Sequence, residues 1–201
     1  MFHIALTGNI AAGKSEVGRH FADWGALVLD ADAIVRELQR PGTPVFQQII
    51  ARLGHQIVAP DGTLDRAALR SRILADPAAK QTLEAIVHPA VSAERDRLVA
   101  SAPTDAIVVS EIPLLFEAAD PAGFDAVVLV DAPEALRVER LMRDRGLSHH
   151  EAAGLLRLQL PAELKRARSH FVLDNDSNRE ALRDRAWLVW RKLVSLARNR
   201  A

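Results

Sequence analysis

The chain contains no cysteine. That excludes disulfides, thiolate metal centres and cysteine nucleophiles together. Neither charge is in excess: 26 lysines and arginines stand against 26 aspartates and glutamates, for a formal net charge of zero. Nothing global therefore advertises a polyanion partner such as nucleic acid. No apolar run approaches the roughly 20 residues of a membrane-crossing helix, and no N-terminal signal pattern appears. Internal repeats and low-complexity tracts are also missing. The 201 residues fit one compact α/β domain with insertions. A soluble cytoplasmic protein is expected, a monomer or weak homo-oligomer, with small-molecule rather than nucleic-acid or membrane partners.

What is present begins at the N-terminus. Phe2-His3-Ile4-Ala5-Leu6 is an apolar run of strand length, followed by Thr7. Gly8-Asn9-Ile10-Ala11-Ala12-Gly13-Lys14-Ser15 then fits G-x-x-x-x-G-K-[ST] without mismatch. Val17, Phe21 and Trp24 next fall on one face of a helix expected over 14–23. Strand, glycine-framed loop and helix are the context that a phosphate-binding loop requires. Gly8 and Gly13 are expected to permit backbone angles that turn consecutive N–H groups inward. With the positive end of the helix dipole these groups form an anion site. Lys14 supplies a mobile charge for β- and γ-phosphates, and the Ser15 hydroxyl is placed for Mg²⁺. ATP and Mg²⁺ are the expected ligands.

Four more buried-strand runs follow, over 26–29, 106–109, 126–130 and 170–173. The second strand ends in Asp30-Ala31-Asp32, on the edge where α/β sheets bind ligands. One of these acids is expected to cap the next helix and the other to function, with Asp32 the functional one. The stretch from Ala33 to Ala102 is too long for a simple crossover and is expected to be a helical insertion that holds a second substrate. Within it Thr43-Pro44 and Asp76-Pro77 read as helix starts, Asp61-Gly62 as a turn, and His88-Pro89 as a break in an apolar pattern. The third strand closes in Ser110-Glu111. Glu111 reads either as a second carboxylate for the metal's water shell or as a solvated strand end. The apolar loop Ile112–Glu117 reads either as core or as a pocket wall. After the fourth strand comes an arginine-rich helical stretch with Arg137, Arg140, Arg143 and Arg145. Ser148-His149-His150-Glu151 opens its second helix as a capping box. Such arginines form a solvated face or a lid over the triphosphate; the lid is favoured because lids exclude water from phosphoryl transfer. Ser177-Asn178-Arg179-Glu180 is expected to cap the last helix.

These pieces resemble a known family, dephospho-coenzyme A kinase, over nearly the whole chain. Leu6–Ser15 is similar to its opening motif, Leu29-Asp30-Ala31-Asp32 to its "DAD" strand end, and His88-Pro89 to its "HP". Pro113-Leu114-Leu115-Phe116-Glu117 resembles its "PLLFE" stretch, the most discriminating piece. Arg140-Leu141-Met142, Gly146-Leu147-Ser148, Gln159, Lys165 and Asn175 follow its lid and final strand. The resemblance implies a P-loop fold: a five-stranded parallel sheet flanked by helices, with a nucleotide-binding core (1–32, 103–136, 169–201), an acceptor insertion (33–102) and a lid (137–168). It implies transfer of the γ-phosphoryl of ATP to the ribose 3′-hydroxyl of dephospho-coenzyme A, the last step of coenzyme A synthesis. Asp32 becomes the base or orienting acceptor for the attacking hydroxyl. Lys14 and Arg140 stabilise charge on the transferring group. Gly8 through Glu16, with Arg143, Arg145 and Asn175, are expected at the nucleotide. Asp32, His88, Leu114, Leu115 and Phe116 are expected at the acceptor, and Ser15 and Glu111 at the metal.

The sequence departs from the family pattern in places. Glu16 stands where threonine is common, and Asn9, Ala11 and Ala12 replace commoner glycine and serine. The lid normally reads arginine-aspartate before its glycine, whereas Arg143-Asp144-Arg145 places an arginine on either side of that position. The nearest rival is a P-loop kinase for another small metabolite, a nucleotide or sugar. A GTPase switch is a weaker rival: its N-K-x-D motif is absent, and Asp120-Pro121-Ala122-Gly123 fits D-x-x-G by letters without directly ending a strand.

Overall fold

The computed structural model describes residues 1–118 and 121–200. Five strands build its sheet: β1 (Phe2–Gly8), β2 (Leu27–Asp30), β3 (Ile107–Glu111), β4 (Ala126–Asp131) and β5 (Phe171–Asp174). Their spatial order is β2-β3-β1-β4-β5, with β1 paired in parallel to β3 and β4, and β4 to β5. The sheet is the expected five-stranded parallel one, and each strand lies within a residue or two of its apolar run.

The chain divides into two compact units, 1–29 with 102–201, and 30–101. In the first, strand alternation divides the core between the two faces of the sheet. Ile4, Leu6, Val128 and Val130 pack on one face with α1 (Lys14–Asp23) and α10 (Arg179–Arg200), through Val17, Phe21, Leu182, Ala186, Trp190 and Leu193. Ala5 and Val127 point the other way, against Leu115 and Phe116. Those two residues belong to α6 (Leu115–Ala118), so a short helix replaces part of the expected apolar loop. Helix α7 (Glu134–Arg145) ends at Gly146, and α8 (His149–Arg157) starts at Ser148 with both halves of the capping box formed. These two pack together through Val138, Leu141, Ala152 and Leu156, with Ile10 against them. A short α9 (Ala162–Arg166) then leads into β5. Asn178, rather than Ser177, caps α10: its Oδ1 accepts from the Ala181 N–H at 2.9 Å. Asp120, the first letter of the D-x-x-G match, lies outside the described residues, as does Ala201. Among the described residues no helix is long and apolar enough to cross a membrane.

The second unit is helical, as its sequence suggested. It holds α2 (Ala31–Leu38), α3 (Pro44–Leu53), α4 (Arg66–Ala75) and α5 (Pro77–Ala100) around Val45, Phe46, Ile49, Leu53, Ile57, Leu69 and Val87. Thr43 and Asp76 cap α3 and α5, each followed by proline in the first turn. Asp61 accepts from the Thr63 N–H in a turn that returns the chain at Gly62. His88-Pro89 does not interrupt the helical run, however. Helix α5 passes straight through Pro89. Proline removes its own bond to the Ala85 carbonyl and crowds that carbonyl, while Leu83, Ile86, Val87, Ala90 and Val91 keep the helix seated on its neighbours. Pro89 itself is exposed. Pro89→Ala restores the missing N–H and is expected to raise stability by about 1–2 kcal/mol, less than the full proline penalty because the unfolded chain gains freedom. Thermal unfolding checks this; a lower midpoint would mean that the rigidity of Pro89 outweighs the bond it removes.

Candidate active site

The carboxyl ends of β1, β3, β4 and β5 lie on one edge of the sheet because all four strands run parallel. Gly8 to Ser15 leave β1 there and enter α1. The left-handed residues of this loop are Ala11 (φ 59°) and Gly13 (φ 99°). Gly8 is required for a different reason than backbone angle: a Cβ on it would stand 2.6 Å from the Val130 carbonyl oxygen of β4. At Gly13 a Cβ would run into the Asn175 side chain. The N–H groups of Gly13, Lys14 and Ser15 have no hydrogen-bond partner among the described residues, so they stand available to an anion at the helix start. The Ile10 N–H is differently used. It donates to Gln159 Oε1 at 2.8 Å. Ala12 donates within the loop to the Asn9 carbonyl at 3.0 Å. The Asn9 side-chain oxygen is buried and without a partner among the described residues.

Asn175 is 6% exposed and braces this loop. Its Nδ2 donates to the Ala12 carbonyl at 2.8 Å, and its backbone N–H to the Asp131 carbonyl at 2.7 Å. Arg140 comes from α7 to the same point, donating to the carbonyls of Ala11 (3.1 Å) and Asn175 (3.3 Å) and to Asn175 Oδ1 (3.3 Å). Arg140 thus reaches both the loop and Asn175. Arg137 is instead buried and donates to the Ala132 carbonyl. Arg143 is exposed, paired with Asp144 at 2.8 Å and Glu139 at 3.9 Å; the Asp144 carboxylate first, and Glu139 less, raise its pKa. Arg145 is exposed. Arg166 bridges Asp174 (2.7 Å) and Asp131 (2.8 Å), whose carboxylates hold it charged more firmly than an ordinary guanidinium. A cleft of about 560 Å³ beside the loop is lined by Asn9, Asp131, Arg137, Gln159, Arg166 and Asp174, among others.

Lys14 and Glu111 form an ion pair, their side chains 13% and 7% exposed. Glu111 is therefore no solvated strand end: it is buried where β3 stops and faces the phosphate-loop lysine. Ser15 is exposed in the first turn of α1. Glu16 is 3.7 Å from Arg179, which is 91% exposed. Leu115 is wholly buried and Phe116 nearly so, whereas Leu114 is 44% exposed. Leu115 is thus core, and Leu114 is the member of that stretch with surface to offer. In the other unit, Asp30 caps α2 by accepting from the Asp32 N–H at 2.8 Å, leaving the Asp32 side chain exposed in the first turn. Asp30 is thus the capping acid of the two, and the chain turns helical at Ala31 rather than continuing as strand. His88 is exposed on α5.

Comparison with known proteins decides among the P-loop kinases. A dephospho-CoA kinase family model matches residues 2–181. The chain belongs to the dephospho-CoA kinase family. It is an ATP-dependent phosphotransferase, moving the γ-phosphoryl of ATP to the ribose 3′-hydroxyl of dephospho-coenzyme A in the last step of coenzyme A biosynthesis; a different acceptor is not favoured. It is 40% identical over 193 residues to the dephospho-CoA kinase of Thermobifida fusca, covering 96% of each chain. Against that of Mycolicibacterium paratuberculosis it is 42% identical over 200 residues, 99% of this chain, and spans about half of that relative, 49%. In fold it matches the dephospho-CoA kinase of Campylobacter jejuni with a TM-score of 0.72 at 22% identity, covering 96% of this chain and 97% of that one.

Gly18 is a site residue that sequence inspection passed over. It lies inside α1, where glycine ordinarily weakens a helix. A Cβ there would occupy the place of the Glu111 carboxylate. The signal in the sequence was a helix-interior glycine one turn after the phosphate-loop lysine. Gly18→Ala should gain helix propensity of roughly 1 kcal/mol, yet the crowding at Glu111 is expected to cost about 1–3 kcal/mol. No net rise in the thermal midpoint and a drop in turnover are the expected outcome. A midpoint that rises with turnover intact would show that the Glu111 position is not set by Gly18.

Proposed function

We propose that the phosphoryl transfer is divided among this chain's residues as follows. The γ-phosphorus–oxygen bond of ATP breaks, a new bond forms from the acceptor's 3′-oxygen, and the Asp32 carboxylate takes or orients the hydroxyl proton. A hydroxyl is a poor nucleophile, and an exposed carboxylate relieved of capping duty suits this task. Lys14 and the N–H groups of Gly13, Lys14 and Ser15 hold the phosphates. Arg140, already anchored on the loop, adds positive charge where the transferring oxygens spread theirs. The observation that carries the reading is the buried Lys14–Glu111 pair beside unsatisfied loop amides: a preformed site for a polyanion with its counter-charge held in place.

Mg²⁺ fits the donors present, since Ser15 and Glu111 offer one hydroxyl and one carboxylate and Mg²⁺ takes its remaining ligands from phosphates and water. When bound it neutralises charge on the β- and γ-phosphates. Arg143, Arg145 and Glu16 flank the nucleotide in this reading, segment 137–168 closes over it as a lid, and Leu114, Phe116 and His88 serve the acceptor. Balanced charge disfavours a nucleic-acid partner; in this reading the enzyme works in the cytoplasm as a monomer or weak homo-oligomer.

ADP release should require dephospho-coenzyme A and yield a product one phosphoryl group heavier by mass spectrometry, with AMP, shikimate and gluconate inactive as acceptors. Release with one of those instead would overturn the acceptor while leaving the phosphate loop in place. Asp32→Asn should lower turnover by roughly 10²-fold or more, in the range of general-base contributions, with ATP affinity little changed. Unchanged turnover would remove Asp32 from the mechanism.

A further inference from the structure

Lys165 is wholly enclosed, at 0% exposure, and the phosphate machinery makes no use of it. Its ammonium lies 2.6 Å from Glu117 Oε1 as an ion pair. A buried ammonium is expensive to desolvate, and an ion pair in such a place is weak evidence of stabilisation alone. Its surroundings offer another reason for it. Glu117 closes the Leu114–Phe116 stretch, and its Oε1 also accepts from the Leu160 N–H at 3.1 Å. Leu160 packs against the cluster of Leu115 and Phe116, and the Arg168 guanidinium stands 4.7 Å from the centre of the Phe116 ring. One residue earlier, Gln159 takes the Ile10 N–H of the phosphate loop. Residues 159–168 therefore touch the phosphate loop at one end and the Leu114–Glu117 stretch along the rest.

We propose that the Glu117–Lys165 pair is a positioning device, which holds the Leu114–Phe116 wall in fixed relation to the phosphate loop by way of segment 159–168. The proposal rests on the reading that Leu114 and Phe116 border the acceptor. Apolar side chains could fill the same space, but they could not hold Glu117, whose Oε1 also receives the Leu160 N–H. Asn175 and Arg140 brace the phosphate loop independently of this pair. Loss of the pair should therefore fall on acceptor binding rather than on nucleotide binding.

The test uses Lys165→Met, Glu117→Gln/Lys165→Met and Leu114→Ala in the full chain. For each, the KM for dephospho-coenzyme A at saturating ATP is measured beside the Kd of a non-hydrolysable ATP analogue without acceptor. The double variant keeps an acceptor for the Leu160 N–H and leaves no unpaired charge, so it decides the matter if the single variant does not fold. Both variants of the pair are expected to raise the acceptor KM roughly tenfold, a scale reached by small misplacements, with the analogue Kd within about threefold. Leu114→Ala should also raise the acceptor KM. If Leu114→Ala does so while the pair variants leave it unchanged, the positioning role is overturned and the wall stands. An equal rise in acceptor KM and analogue Kd would mean general loosening and would also overturn it. An unchanged KM in Leu114→Ala removes the wall, and the device with it.

Discussion

One buried amide ties the nucleotide unit together. The Asn175 side chain reaches back 163 residues to the Ala12 carbonyl, while its own backbone hangs on β4 through Asp131 and its oxygens receive Arg140. Loop, last strand and arginine-bearing helix thus share one fixed point. This works only because Gly13 has no Cβ to occupy the space of the amide. Buried amides leave large penalties when half satisfied, so the phosphate loop, β5 and Arg140 are energetically bound to keep their places together.

Electrostatics of the edge follow the same pattern of paired opposites. Lys14 lies against Glu111, Lys165 against Glu117, and Arg166 between Asp131 and Asp174. Each of these three basic groups thus lies beside a carboxylate rather than alone. The pairs differ in what they can exchange. Arg166 is gripped on two sides. Lys14 has a single carboxylate partner and sits at the start of α1, where the helix dipole favours an anion that would compete for it.

Much of this was legible from the sequence because the signals were local. Apolar runs gave the strands, prolines after Thr43 and Asp76 marked helix starts, and the Ser148–Glu151 box formed as its letters implied. Proline at position 89 misled, because packing of α5 on its neighbours outweighs one lost hydrogen bond. The site was legible in its residue types but not in its pairings. Whether Glu111 was solvated or buried against Lys14, and whether Leu115 faced a ligand or the core, depends on contacts about a hundred residues apart or on which side of the sheet a short helix lies. Gly18 is of the same kind, for its reason lies on β3 rather than on its own helix.

Ala11 holds a left-handed backbone that glycine would adopt more readily. The methyl group narrows the range of shapes open to the loop once it is formed. Its loss of backbone freedom then occurs mostly when the chain folds rather than when a nucleotide arrives, and the tether from Arg140 to the Ala11 carbonyl acts in the same direction. The phosphate cradle of this chain is built stiff, so the triphosphate meets a shape already chosen for it.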